Sequence, residues 1–194
     1  MILNGDCIEE MQKLIDDGVQ VDSVVTDPPY ELGFMGRSWD STGIAFQKET
    51  WELALKLLKP GGHLLAFSAS RKEGNEEIVK YWKPLFEEYN VDLALQGHDH
   101  AYTRGAVYTK ELKSEYLKGP VYVVSVSGGK MYKLSSEGWD KYGAIKNKKG
   151  QYLQLFQVIT IDDNKLFYKS YTASGKLFDN FELNKKEGKT QYLK

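Results

Sequence analysis

Hydrophobic positions in the first half of the chain alternate between two periods, one of strands and one of helices. Met1–Asn4 reads as a short apolar strand. Asp6 is placed to cap the helix that follows, with Glu9 three residues on as a capping-box partner. Ile8, Met11 and Leu14 or Ile15 fall on one face of that helix. Asp22–Asp27 reads as a strand stopped by Pro28 and Pro29. Residues 31–45, with Gly33, Gly36 and Gly43, read as loop. Trp51, Leu55 and Leu58 predict a second helix ended by Pro60-Gly61-Gly62, and His63–Ser68 a third strand. Ile78, Trp82, Leu85 and Tyr89 predict a helix over 73–89, broken or kinked at Pro84, and Val91–Gln96 predicts a fourth strand.

Beyond that point strands follow one another. Val121–Val126, Tyr152–Ile161, Leu166–Thr172 and Leu177–Leu183 all alternate with strand period. Asp162-Asp163-Asn164 and Ser174-Gly175 supply turns between the last three, which predicts an antiparallel meander. Residues 130–150 read as a long polar loop and 185–194 as a charged tail. The predicted class is α/β. It has mixed sheets with flanking helices, an N-terminal β-α-β-α-β part and an antiparallel C-terminal meander. Three segments follow, 1–70, 71–184 and 185–194, packed as one globular unit.

Composition narrows the setting. A chain of 194 residues, 41% hydrophobic, is long enough to bury a core. Its one cysteine, Cys7, excludes an internal disulfide. No apolar run reaches membrane-spanning length, and the N-terminus shows no basic or apolar leader pattern, so a cytoplasmic protein is expected. The net charge of −1 hides an asymmetry: residues 1–71 hold 6 basic and 11 acidic side chains, and the rest hold 20 and 16. A duplex-binding surface needs clustered cations, so the acidic front segment is ill suited to DNA by itself.

Two motifs carry chemistry. The first is Asp27-Pro28-Pro29-Tyr30, closing the apolar run Val24-Val25-Thr26. The prolines force an extended exit at a strand's carboxyl end, where open α/β sheets place ligands. Asp27 and a carbonyl beside a proline can accept from an exocyclic amino group, and Tyr30 can stack on a flipped base. With Asn4-Gly5-Asp6-Cys7, Gly33-Phe34-Met35-Gly36, Trp39-Asp40 and Leu58-Lys59-Pro60-Gly61-Gly62-His63-Leu64-Leu65, this stretch resembles DNA amino-methyltransferases acting on adenine N6 or cytosine N4. The resemblance implies a catalytic role for Asp27, Pro28, Pro29 and Tyr30, with S-adenosylmethionine as donor and DNA as partner. The glycine-rich loop with which that family holds its donor is missing from residues 72–194.

The second motif is Gly97-His98-Asp99-His100, closing the run Val91–Leu95. Two histidines spaced by one residue at a strand end can face the same side, and imidazole is the commonest metal ligand. Several stretches extend the pattern: Tyr81–Phe86, Tyr89–Leu93, Gln96–Arg104, Gly119–Gly128 and Gln154–Ile159. Together residues 68–184 resemble the C-terminal part of calcineurin-like metallophosphoesterases, near the purple acid phosphatase branch. The resemblance implies His98 and His100 as metal ligands, an iron, zinc or manganese ion, and a phosphate-ester substrate. It offers His63 as a further ligand, with Leu65 where the family carries proline. The family's leading Asp-x-His, its bridging carboxylate motif and its Gly-Asn-His motif are missing.

The chain therefore reads as a chimera with its seam at His63–Arg71. The expected function is that of an incomplete metallophosphoesterase-like hydrolase, with weak or no turnover. The alternatives are a DNA methyltransferase fragment and a non-catalytic folded chimera. Asp6 and Asp27, both at predicted strand ends, are candidates to approach the histidines within roughly 6 Å, the reach of a shared ion.

Overall fold

A computed structural model of the chain describes residues 2–29, 36–69, 75–97, 100–108, 116–126, 128–134, 143–186 and 189–193. Three α-helices and ten strands are described, besides two short 3-10 turns at Ser38–Ser41 and Ile44–Phe46: α1 (Cys7–Asp16), β1 (Val21–Thr26), α2 (Lys48–Lys56), β2 (Leu58–Ala69), α3 (Asn75–Glu88), β3 (Leu93–Gly97), β4 (Tyr102–Tyr108), β5 (Leu117–Val124), β6 (Ile145–Gly150), β7 (Leu155–Asp162), β8 (Lys165–Thr172), β9 (Leu177–Lys186) and β10 (Lys189–Leu193). One sheet runs in the order β1-β2-β3-β5-β4-β6 and the other β10-β9-β8-β7. In the first, β1, β2, β3, β5 and β6 run in one direction, and β4, antiparallel to both β5 and β6, runs against them. The second is antiparallel throughout. The expected α/β class, with a mixed sheet and a C-terminal meander, is what the chain forms.

Alternation along the strands explains the layering. Leu64, Ala66 and Ala94 point to a cluster with Trp51 of α2 and Trp82 and Phe86 of α3. Leu93, Val121 and Val123 point to the other face, where they meet Leu155, Leu166, Tyr168 and Phe181 of the second sheet. The mixed sheet is thus the middle layer, between helices and the meander. The aromatic trio of the helical layer packs edge to face, with Trp51 and Trp82 centroids 5.3 Å apart.

Several elements depart from the sequence reading. Residues 2–4 form no strand, and all three are exposed. The Asp6 cap is made: its Oδ1 accepts from Ile8 N at 2.9 Å and Glu9 N at 3.3 Å. α2 ends at Lys56, and Leu58, expected to be its last apolar residue, instead opens β2. Lys59-Pro60-Gly61-Gly62 forms an excursion inside that strand, because Val21 pairs with Leu58 but Ser23 already pairs with His63. Gly62 is required there, since a Cβ would sit 2.9 Å from Lys59 O and 3.0 Å from Asp22 O. α3 runs through Pro84 without the expected break. Trp82 and Phe86, on either side of the proline, are both buried and hold the two halves in one helix. Residues 130–150, read as loop, contain β6, and 185–194, read as a charged tail, contain the end of β9 and all of β10. β4 was also not foreseen.

Candidate functional site

β1 stops at Thr26, as the prolines dictate, and leaves Asp27 exposed with Pro28 and Pro29 half-buried. Thr26 is level with Ala66, and Ala69 is level with Gly97. Asp27 therefore emerges at the carboxyl end of the parallel strands, the end at which β3 finishes with Gly97. Tyr30, like Gly33-Phe34-Met35, lies outside the described residues. Asp6 is taken up in capping α1.

Of the Gly-His-Asp-His motif, His98 and Asp99 lie outside the described residues, and Gly97 and His100 lie within them. His100 is held on two sides. Its Nδ1 sits 2.5 Å from Lys130 O, and its own carbonyl accepts from Tyr132 N at 2.8 Å. The Tyr132 ring lies 4.9 Å from the imidazole. Since a carbonyl can only accept, Nδ1 carries the proton in this contact, and Nε2 is the nitrogen on the other side of the ring. A backbone carbonyl on one ring nitrogen is how proteins orient a histidine whose other nitrogen binds metal.

His63 is elsewhere. Residues 65–69 of β2 run in register with 93–97 of β3, which puts His63 six residues before the end where the motif emerges. At about 3.3 Å per residue, that separates it from Gly97 by roughly 20 Å. The structure does not bring His63 together with His100. Spacing to Phe67-Ser68 suggested otherwise, but a continuous strand carries the residue away from the ligand end.

His63 joins a different group. It is 2% exposed, and its Nδ1 lies 3.2 Å from Oδ2 of Asp92, itself 3% exposed. The contact is within ion-pair reach but out of line for a hydrogen bond, and neither ring nitrogen is hydrogen-bonded. Lys185 Nζ donates to Asp92 Oδ2 at 2.9 Å, and Thr190 Oγ1 donates to Asp92 Oδ1 at 2.5 Å. Burial would raise the Asp92 pKa, but His63, Lys185 and Thr190 outweigh it and hold the carboxyl below its ordinary value.

A second buried network ties β4 to β9 and β10. Arg104 grips Asp179 with Nε on Oδ2 at 2.7 Å and Nη2 on Oδ1 at 3.0 Å. Its Nη1 donates to Tyr192 OH at 2.5 Å, and Tyr102 OH donates to Asp179 Oδ2 at 2.7 Å. Burial pushes the Tyr102 phenol upward, and nearby Tyr168 and Asp179 add to it. Tyr102 and Arg104 follow His100 at strand spacing, so their inward alternation was a readable signal, but their partners lie 75–88 residues away.

Among the described residues, no three His, Cys, Asp or Glu side chains converge on a point that could hold a metal ion. One oriented imidazole is short of the three or four ligands that such an ion needs. The described donors thus do not fit the two-metal centre implied by the phosphoesterase resemblance. The carboxylates Asp6 and Asp27 complete no such group with His100.

No family model matches the chain. A curated relative, the probable inactive purple acid phosphatase 1 of Arabidopsis thaliana, is 29% identical over 121 residues. The match takes in 58% of this chain, which spans only 19% of that relative's length. Among solved structures, the purple acid phosphatase PPD1 of yellow lupin (Lupinus luteus) seeds is similar at 18% identity and a TM-score of 0.44, over 64% of this chain and 25% of that one. GAP50, the anchor in the inner membrane complex of Plasmodium, is similar at 16% identity and a TM-score of 0.49, over 85% of this chain and 49% of that one. The C-terminal part of the chain is thus similar to purple acid phosphatases, while the methyltransferase resemblance of residues 1–67 finds no counterpart in these matches.

Proposed function

We propose that this chain is a metallophosphoesterase-like hydrolase whose metal centre is incomplete, so that phosphate-ester hydrolysis is weak or nil. The observation that carries this reading is the placement of His63. The third imidazole of the chain is packed against Asp92 about 20 Å from the ligand end of the sheet, by strand rise. His98 and His100 then remain as one edge of a former site, with His100 already turned by Lys130 O. The relative named as probably inactive is consistent with a family in which the fold outlives the chemistry.

The test is metal content of the purified chain after incubation with manganese, zinc and iron, beside the His98→Ala/His100→Ala variant. Hydrolysis of an aryl phosphate is followed on the same samples. The reading expects at most one bound ion, lost in the variant, and turnover that is at most weak above the variant's. Two ions per chain, or fast turnover abolished by the double substitution, would overturn it.

A further inference from the structure

We propose that β7 is the surface through which two copies of this chain pair, edge to edge and antiparallel. β7 lies at the edge of the meander, with β8 as its one partner strand among the described residues. Gln154 O accepts from Ala173 N on the β8 side, and Leu155 N donates to Val126 O on the other. Antiparallel strands alternate in this way, so the peptide groups of Gln157, Ile159 and Ile161 face outward. They have no backbone partner among the described residues.

The four sheet edges are not alike. β6 carries Lys146, Lys148 and Lys149 within six residues, the usual protection of an open edge. β10 is bridged on its far side by Tyr116 to Gln191. β1 exposes Val25 between Asp22 and Asp27. β7, Leu-Phe-Gln-Val-Ile-Thr-Ile-Asp, has no lysine, arginine or proline and no charge before Asp162. Phe156 is 47% exposed and Val158 46%. Phe156 stacks on Tyr171 of β8 at 5.5 Å, which extends the apolar strip across two strands.

The charge pattern selects the occupant. An acidic or basic peptide would find no counter-charge along residues 155–161. The same strand of a second copy is complementary: uncharged residues oppose uncharged residues, and Asp162 falls at the end of the paired stretch. Among the described residues β7 is the one open edge of the meander, so its pairing with a second copy closes at a dimer. One strand pair with a narrow apolar strip buries less than a standard interface, so a weak dimer is expected, with Kd on the order of micromolar.

Sedimentation velocity over a concentration series tests this on the full 194-residue chain. The expected result is a monomer–dimer equilibrium that Val158→Lys weakens roughly tenfold, by replacing an apolar cross-strand contact with like charges on the two copies. Thr160→Lys, also exposed on that face, should act in the same direction. Ile145→Lys, at the exposed start of β6, should leave the equilibrium unchanged. Circular dichroism and thermal melting establish that each variant is folded. A chain that stays monomeric at its highest soluble concentration overturns the proposal. So does a dimer that survives both β7 substitutions, or one lost equally with Ile145→Lys.

Discussion

Asp92 joins partners that are close in space and distant in sequence: His63, Lys185 and Thr190 all reach one buried carboxylate. In the sequence it is only a polar residue between Val91 and Leu93, at the start of an apolar run. Nothing local marks it as a junction, because its hydrogen-bond donors lie 93 and 98 residues further on. Removing it leaves the largely buried Lys185 ammonium without its counter-charge and the buried His63 ring without its polar neighbour. Asp92→Ala is expected to cost roughly 3 kcal/mol in urea unfolding, the lower end for breaking a buried pair, since Lys185 retains some solvent. Asp92→Asn should cost less, because the amide oxygen still accepts from Thr190.

Among the elements, the C-terminal one differs most from its sequence reading. Lysines and glutamate gave 185–194 the look of a solvated tail, yet β10 pairs with β9 and places Thr190 and Tyr192 in the interior. Ending the chain after Lys186 would remove the Thr190 bond to Asp92 and the Tyr192 bond to Arg104, both to charged groups. At about 1.5–3 kcal/mol each, the loss should come to roughly 3–6 kcal/mol, read as a fall in melting temperature. The Thr190→Val/Tyr192→Phe variant of the full chain should reproduce part of that loss, which separates the hydrogen bonds from the strand itself. α3 shows the opposite case: the sequence predicted a helix and it forms, but burial of Trp82 and Phe86 carries it past a proline that local rules treat as a stop.

At the scale of the whole molecule, the two sheets are joined by charge as well as by apolar packing. Asp92 anchors the meander's end to the parallel strands, and Asp179 clamps Arg104 of β4. The Asp92 carboxyl is held below its ordinary pKa by the folded state. Its contribution is therefore complete above the unfolded value of about 4 and is lost as pH falls through the lower folded value. Urea midpoints measured from neutral pH down to about pH 3 should fall more steeply for the parent chain than for Asp92→Asn. Parallel curves would show that Asp92 carries none of the acid sensitivity. The sequence by itself determined the α/β class, the Asp6 cap, the strand stopped at Pro28 and Pro29, the three meander strands β7 to β9 and the identity of the histidine motif. Each of these rests on period, turn chemistry or a stereochemical stop within a few neighbouring residues. Only the tertiary structure decided where His63 lies, what Asp92 and Arg104 pair with, and that a lysine-rich tail ends as a buried strand. Those outcomes depend on strand register and on contacts between residues dozens of positions apart, which no local pattern encodes.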